Sequence, residues 1–285
     1  MGIGEPDPDQ NPFFSAKLPF LNEALGTLPS LANPEVEGPL GRAFPVDATL
    51  GVEGRPQSGT GQYALLTGHN GAKEIGRHFG PWTPTALRES LADLNLFSQA
   101  LARGSSMTFA NAYPKTFPES RWFKRPAPIP LAAVNAGVMT RHLDALAEGR
   151  AVASDILNDR VREYSGLDLP DVTADEAGKV LATVAGENDF SFFAHYATDA
   201  VGHEGNMEEC KAALEVVDRF LQGVLEGRGP EIGVFVTSDH GNIEAMGGAH
   251  TRNPALGLWF PPEGDVGRDM PRSLLDVTGF VESCV

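Results

Sequence analysis

Short apolar runs alternate along the chain with stretches whose apolar positions recur every three or four residues. Runs rich in β-branched and aromatic residues and bounded by polar ones read as buried strands. They occur at 107–110, 190–196, 232–236 and 256–260, with a shorter candidate at 46–50. Helical spacing appears first after Pro81-Trp82-Thr83-Pro84. Thr83 is placed there as an N-cap and Pro84 at the first helical position. Leu87, Leu91, Leu94 and Leu101 carry that helix to about Arg103, where Gly104 stops it. A second helix is predicted over 131–146. Thr173-Ala-Asp-Glu176 is a capping box that opens a third, running to about Ala185. Asn206 caps a long amphipathic helix with Ala213, Leu214, Val217, Phe220, Leu221 and Val224 on its apolar side. A terminal helix is predicted over 273–281. Strands alternating with helices predict an α/β fold, a doubly wound and mostly parallel sheet flanked by helices on both faces.

The segments that break this rhythm carry their own information. Residues 1–14 are rich in Gly and Pro and read as a loop, and Pro and Gly also punctuate 15–56. Pro114, Pro118, Pro126, Pro128 and Pro130 make the following region irregular. The expectation is one domain over 1–285, with residues 114–165 forming a small cap-like insertion. That insertion holds the most basic stretch, Arg121 to Arg125. Arg121, Lys124 and Arg125 are candidates for holding a substrate anion; the competing reading is a solvated patch with Trp122 and Phe123 packed beneath it.

Candidate chemistry gathers at strand ends, where open α/β sheets place their sites. The run ending at Val236 leads into Asp239-His240-Gly-Asn242-Ile-Glu244, and His250 follows ten residues after His240. The run from Phe190 leads into Asp199 and His203, four apart. Two strand ends therefore each deliver an Asp and a His, and His250 supplies a fifth ligand. Carboxylate and neutral imidazole together suit a zinc or transition-metal site. An Asp-His pair alone reads equally well as a solvated turn.

The Asp-x-x-x-His of 199–203, the Asp-His-Gly-Asn of 239–242 and the His-Thr-x-Asn-Pro of 250–254 resemble the alkaline phosphatase superfamily. The similarity is to its branch of cofactor-independent phosphoglycerate mutases and phosphopentomutases. Upstream, Ser58 lies ten residues before the Gly68 of Leu-Leu-Thr-Gly, as the nucleophile of that superfamily does, with Thr60 as the competing choice. The resemblance implies a first metal on Asp199, His203 and His250. A second would take Asp239, His240 and Ser58, together with an Asp from a strand that opens the family's fold. Gly2-Ile3-Gly4 resembles the end of the turn after that strand, so the strand and its Asp are expected just ahead of Met1. Substitution by Asp7 or Asp9 is the lesser reading. Arg252, within the last motif, joins the substrate-binding candidates. The large inserted domain of full-length mutases has no room here, which weakens transfer of the mutase reaction.

Composition narrows the partners. The formal net charge of −16 opposes nucleic acid or an anionic membrane as partner. No apolar run reaches the about 18 residues of a membrane span. The N-terminus has no signal-peptide pattern, and two cysteines make no disulfide framework. The reading is a cytoplasmic enzyme that transfers the phosphoryl group of a small phosphorylated metabolite. It would use two divalent ions, Mn²⁺ or Zn²⁺, and a metal-activated Ser58. The alternative is a degenerate one-metal relative that binds a phosphorylated ligand without turnover.

Overall fold

A computed structural model describes residues 1–265 and 267–285, with the backbone alone at Trp122. The predicted helix–strand rhythm is present, and the chain is α/β. The N-terminal part holds α1 (Pro19–Leu25), β1 (Val36–Glu37) and β2 (Arg42–Val46). It continues through α2 (Ser58–Thr67) and α3 (Gly71–Ile75).

The helix expected from Thr83 to Arg103 forms as two, α4 (Arg88–Leu94) and α5 (Leu96–Ala102). Asn95 divides them. Its backbone is extended, and its side chain accepts from the Ser98 amide as the N-cap of α5. Thr83 is no cap; it is buried, and its hydroxyl donates to Pro126 O at 3.0 Å. β3 (Met107–Phe109) follows. The helix predicted over 131–146 is also broken, into α6 (Pro128–Asn135) and α7 (Leu143–Ala147). Gly137, with φ +72°, turns the chain out of the helical path between them. α8 (Asp159–Ser165) precedes α9 (Ala174–Gly186), where both bonds of the Thr173–Glu176 capping box are made.

Then come β4 (Phe190–Phe192), α10 (Ala197–Glu204), α11 (Met207–Gly227) and β5 (Val234–Thr237). β6 (Ala255–Phe260) and α12 (Val277–Glu282) complete the order. β4 is shorter than predicted because beyond Phe192 a side chain replaces the ladder. The Asn111 amide donates to Ala194 O and accepts from Ala194 N, at 2.7 and 2.8 Å.

The described strands form two sheets, one ordered β1-β2-β6-β5 and one pairing β3 with β4. Only the β3–β4 pairing is parallel; β1–β2, β2–β6 and β5–β6 are antiparallel. The expectation of a mostly parallel sheet is thus met in one pairing of four. β6 enters between β2 and β5 after the loop that carries His250, and it runs against both.

Period-two alternation divides the core. Phe44, Val46 and Trp259 pack with Tyr63, Leu66 and Leu87 on the α2 side. Ala43, Leu256, Leu258 and Phe260 pack with Leu214 and Leu221 of α11 on the other. Leu214, Phe220, Leu221 and Val224 are buried on α11, each worth about 1.5–3 kcal/mol of transfer free energy. α11 lies against α9 along paired glycines. A Cβ on Gly178 would meet Phe220 O at 2.3 Å, and one on Gly223 would meet Asp175 O at 2.1 Å. A small separate core buries Leu146 and Val161 together with Ala112 and Leu169 from either side of 114–165.

Candidate metal centre

Four separate segments meet at the carboxyl ends of β4 and β5. α2 begins at Ser58, so its N-terminal end, with its partial positive charge, lies under that hydroxyl. Ser58 Oγ is 2.9 Å from His240 Nε2. Asp239 and His240 follow β5, and Asp239 Oδ1 is 3.5 Å from His240 Nε2. α10 carries Asp199 in its first turn and His203 in its last, one helical turn apart on one face. Asp199 carboxylate oxygens lie 3.6, 3.8 and 3.9 Å from the Nε2 atoms of His203, His250 and His240. His250 Nε2 is 3.1 Å from His203 Nε2, and the His240 and His250 rings stack at 3.7 Å. The centre grades from buried His240 and His250 to exposed His203.

Two histidines are held so that the same nitrogen faces inward. His203 Nδ1 lies 2.8 Å from Gly248 O, and His250 Nδ1 lies 2.8 Å from Pro56 O. A carbonyl only accepts, so each Nδ1 carries a proton and each ring turns its Nε2 to the centre. Such a backbone tether is how metal-binding imidazoles are commonly oriented. Donor atoms of Asp199, His240 and His250 all lie within 4.8 Å of one another. Burial would raise the Asp199 carboxyl, but the Asn242 amide and the three histidines outweigh it and hold it below its ordinary range. Burial, aided by neighbouring His240, pushes His250 down. A carboxylate kept ionised beside an imidazole kept neutral is a donor set that fits a divalent transition ion or zinc.

Further residues that hold the candidate ligands escape a reading by motif. Asn242 Nδ2 donates to Asp199 Oδ1 at 2.8 Å. Gln62 Nε2 donates to Asp239 Oδ2 at 3.0 Å. Gln62 sits four residues after Ser58 on α2, a spacing that places both on one helix face and was visible in the sequence. Gly61 is required between them, since a Cβ there would meet Asp239 O at 2.5 Å. Buried Glu244 accepts from the amides of Gly2 and Asn242, both at 2.7 Å, and from the Thr251 hydroxyl and the Asn253 amide. It joins the loop after His240 to the loop after His250.

The other candidates lie outside this cluster. Arg121, Lys124 and Arg125 are exposed. Arg125 stacks over the Trp82 ring at 5.3 Å, and Trp82 O approaches Gly59 next to Ser58. Arg252 is exposed, and its charge adds to the burial that lowers His78. The Trp122 side chain, expected beneath the basic patch, lies outside the described residues.

Fold and centre together define an α/β protein with a mixed Asp/His metal-binding nest at its strand ends. Residues 161–262 match the family model of the Metalloenzyme superfamily. The 2,3-bisphosphoglycerate-independent phosphoglycerate mutase of Natronomonas pharaonis is 36% identical over 129 residues, 42% of this chain and 22% of the relative. The enzyme of the same name from Acetivibrio thermocellus is 38% identical over 135 residues, 39% of this chain and 25% of the relative. The chain thus spans about a quarter or less of the length of these relatives. The structure of the PH0037 protein from Pyrococcus horikoshii superposes with TM-score 0.56 at 12% identity, over 99% of this chain and 93% of that one. That likeness shows a shared fold. In agreement with the motifs, the chain is similar to the Metalloenzyme superfamily and to phosphoglycerate mutases. No helix among the described residues is long and apolar enough to cross a membrane.

Proposed function

We propose that the protein transfers the phosphoryl group of a small phosphorylated metabolite, with Ser58 as the nucleophile. The observation that carries this reading is the 2.9 Å contact between Ser58 Oγ and His240 Nε2, at a helix N-terminus and beside four more Asp and His ligands. Asp199, His203 and His250 would hold one divalent ion; Asp239 and His240 would hold a second with Ser58. Mn²⁺ and Zn²⁺ suit the mixed donors better than Mg²⁺ or Ca²⁺. Such ions supply charge neutralisation at phosphoryl oxygens and lower the pKa of a coordinated hydroxyl.

The chain's own residues do the rest. The start of α2 directs its positive end at an incoming phosphate. His240 Nε2 faces the Ser58 hydroxyl, so the two side chains would serve the same ion. Gln62 fixes Asp239, Asn242 fixes Asp199, and the Gly248 and Pro56 carbonyls fix the two outer imidazoles. Residues 114–165 act as a cap whose Arg121, Lys124 and Arg125 receive substrate phosphate or carboxylate. The docking of Arg125 on Trp82, one layer from Ser58, supports this. Arg252 would reach the same substrate from the far loop. Phosphatase or mutase outcome depends on how long the cap retains the dephosphorylated intermediate.

The test is Ser58→Ala, assayed with p-nitrophenyl phosphate and with phosphorylated three- and five-carbon metabolites. Loss of about 10³-fold or more in kcat with unchanged metal content supports the reading. A variant that turns over normally sinks it. One observation favours the second reading, a one-metal binder without turnover. Among the described residues a single three-ligand group forms, from Asp199, His240 and His250. Metal titration that ends at one ion, with phosphate binding and no hydrolysis, would select it.

A further inference from the structure

Ser58 and His250 depend on one loop. Residues 48–57 belong to no helix or strand. The loop nevertheless ends in Pro56, whose carbonyl lies 2.8 Å from His250 Nδ1, and in Gln57, which opens α2 ahead of Ser58. Its own backbone gives it little rigidity. Leu50, Gly51 and Gly54 have φ of +55°, +66° and +109°, and Glu53, Gly54 and Arg55 are exposed. A left-handed leucine persists only where its surroundings fix it.

The loop is fixed through its carbonyls. Asn70 Nδ2 donates to Leu50 O at 2.8 Å, while Asn70 Oδ1 accepts from Lys73 N and caps α3. His78 Nε2 lies 3.3 Å from Val52 O, and because a carbonyl only accepts, that nitrogen carries a proton. Burial holds His78 below its ordinary 6.5, so at neutral pH its one ring proton is the one given to Val52. His78 is itself tied down. The next residue, Phe79, donates from its amide to Thr60 Oγ1 at 3.2 Å and accepts from Thr60 N at 2.9 Å. Thr60 is buried in the first turn of α2, and its hydroxyl donates to Gln57 O at 3.2 Å. Two glycines allow this approach. A Cβ on Gly59 would meet Phe79 O at 2.6 Å, and one on Gly80 would meet Ser58 N at 3.1 Å. The bonds close a circuit: from Thr60 to Phe79 and His78, on to Val52 and Pro56, and back through Gln57 to Ser58.

We propose that His78 is a positioning residue of the centre: it holds residues 52–56 so that Pro56 orients His250, and it thereby couples the ion on His250 to the placement of Ser58. Thr60 serves the same circuit from the side of α2. The inference rests on the reading of Asp199, His203 and His250 as ion ligands. An ion that fixes His250 Nε2 fixes the ring, and the ring holds Pro56 through Nδ1. Two residues further on, the chain reaches Ser58. The coupling is reciprocal, so whatever loosens Pro56 weakens the ion. His203 provides the contrast. Its Nδ1 is held by Gly248 O, which lies outside the circuit.

The test reads the two imidazoles separately. In zinc-loaded protein with isotope-labelled histidine, NMR follows the exchange of the Nδ1 protons of His250 and His203 with water. His78→Phe keeps a ring in place and removes the donor, whereas His78→Gln keeps a donor. The expected result for His78→Phe is exchange at His250 quickened about tenfold or more, with His203 unchanged. Calorimetric titration should show zinc binding weakened about tenfold. His78→Gln should restore both. Thr60→Val, which keeps the shape and loses the hydroxyl, should shift His250 in the same direction, and it decides the matter if His78→Phe does not fold. Wild-type protein that binds no zinc overturns the metal reading and this inference with it. Zinc binding in the wild type, with His250 unaltered in the variants, overturns this inference alone. Equal quickening at His250 and His203 overturns it too, because that reports a general loosening.

Discussion

The Nε2 atoms of His203 and His250 face each other across 3.1 Å, and each ring's other nitrogen is committed to a backbone carbonyl. Two lone pairs so placed repel unless a cation or a proton lies between them. A divalent ion should therefore bind here and stabilise the fold by mass action, by about 2.7 kcal/mol at a free concentration one hundred times its Kd. Thermal unfolding with Mn²⁺ or Zn²⁺ against chelator reads this directly. His203→Ala and His250→Ala should each abolish most of the shift. A melting temperature indifferent to metal would count against the centre.

Asn242 is expected to act through Asp199, since its amide bonds the carboxylate that the three histidines surround. Asn242→Ala should weaken metal binding about 10–100-fold, the usual effect of losing a group that orients a ligand. Calorimetric titration checks it. Asn242→Asp should do worse, because it places a second carboxylate against Asp199.

Glu244 sets an acid limit on the fold. Burial would raise its carboxyl, but the Met1 ammonium and the bonds from Thr251 and Gly2 outweigh it and hold it below its ordinary 4.5. The unfolded chain then takes up a proton more readily than the folded one. The stabilisation is complete above about 4.5 and is lost as pH falls through the lower, folded value. Glu244→Gln should cost about 1–3 kcal/mol at neutral pH. Denaturant melts of both proteins should converge as the pH falls from 4.5 through the lower, folded value. A gap that widens in acid would contradict the assignment.

The α9–α11 pair should tolerate no methyl group at its crossing. Gly178→Ala and Gly223→Ala each drive a Cβ into backbone of the facing helix. Each should destabilise by about 1–3 kcal/mol or more. Gly186, where a Cβ would meet nothing within 4 Å, provides the neutral control through Gly186→Ala. Denaturation midpoints compare the three.

The clustering of the candidate ligands was legible because each motif is local: Asp199 and His203 are spaced by one helical turn, and Asp239 and His240 are adjacent. The groups that hold them were not. Asn242 meets Asp199 across 43 residues, and Gln62 meets Asp239 across 177. Glu244 sits in the same short motif as His240, but its role depends on Gly2, 242 residues away. Helices with uninterrupted local signals, such as α9 with its capping box and α11 with Asn206, match their predicted bounds closely. Where apolar spacing alone was used it ran through real breaks, at Asn95 and at Gly137. Both residues carried a local signal, an N-cap and a positive-φ glycine, that competed with the periodicity and won. Sheet order was not readable, because β6 reverses direction after a loop whose shape the centre itself determines.

Ser58 and His240 touch across a separation of 182 residues, and Pro56 holds His250 across 194. A ribosome working from the N-terminus has made α2 and most of the helices before His250 leaves the tunnel. No metal nest can exist until then, so loading must follow synthesis. A chain that has lost its ion would then keep most of its fold, with only the meeting of Ser58, His240 and His250 left to form around a new one.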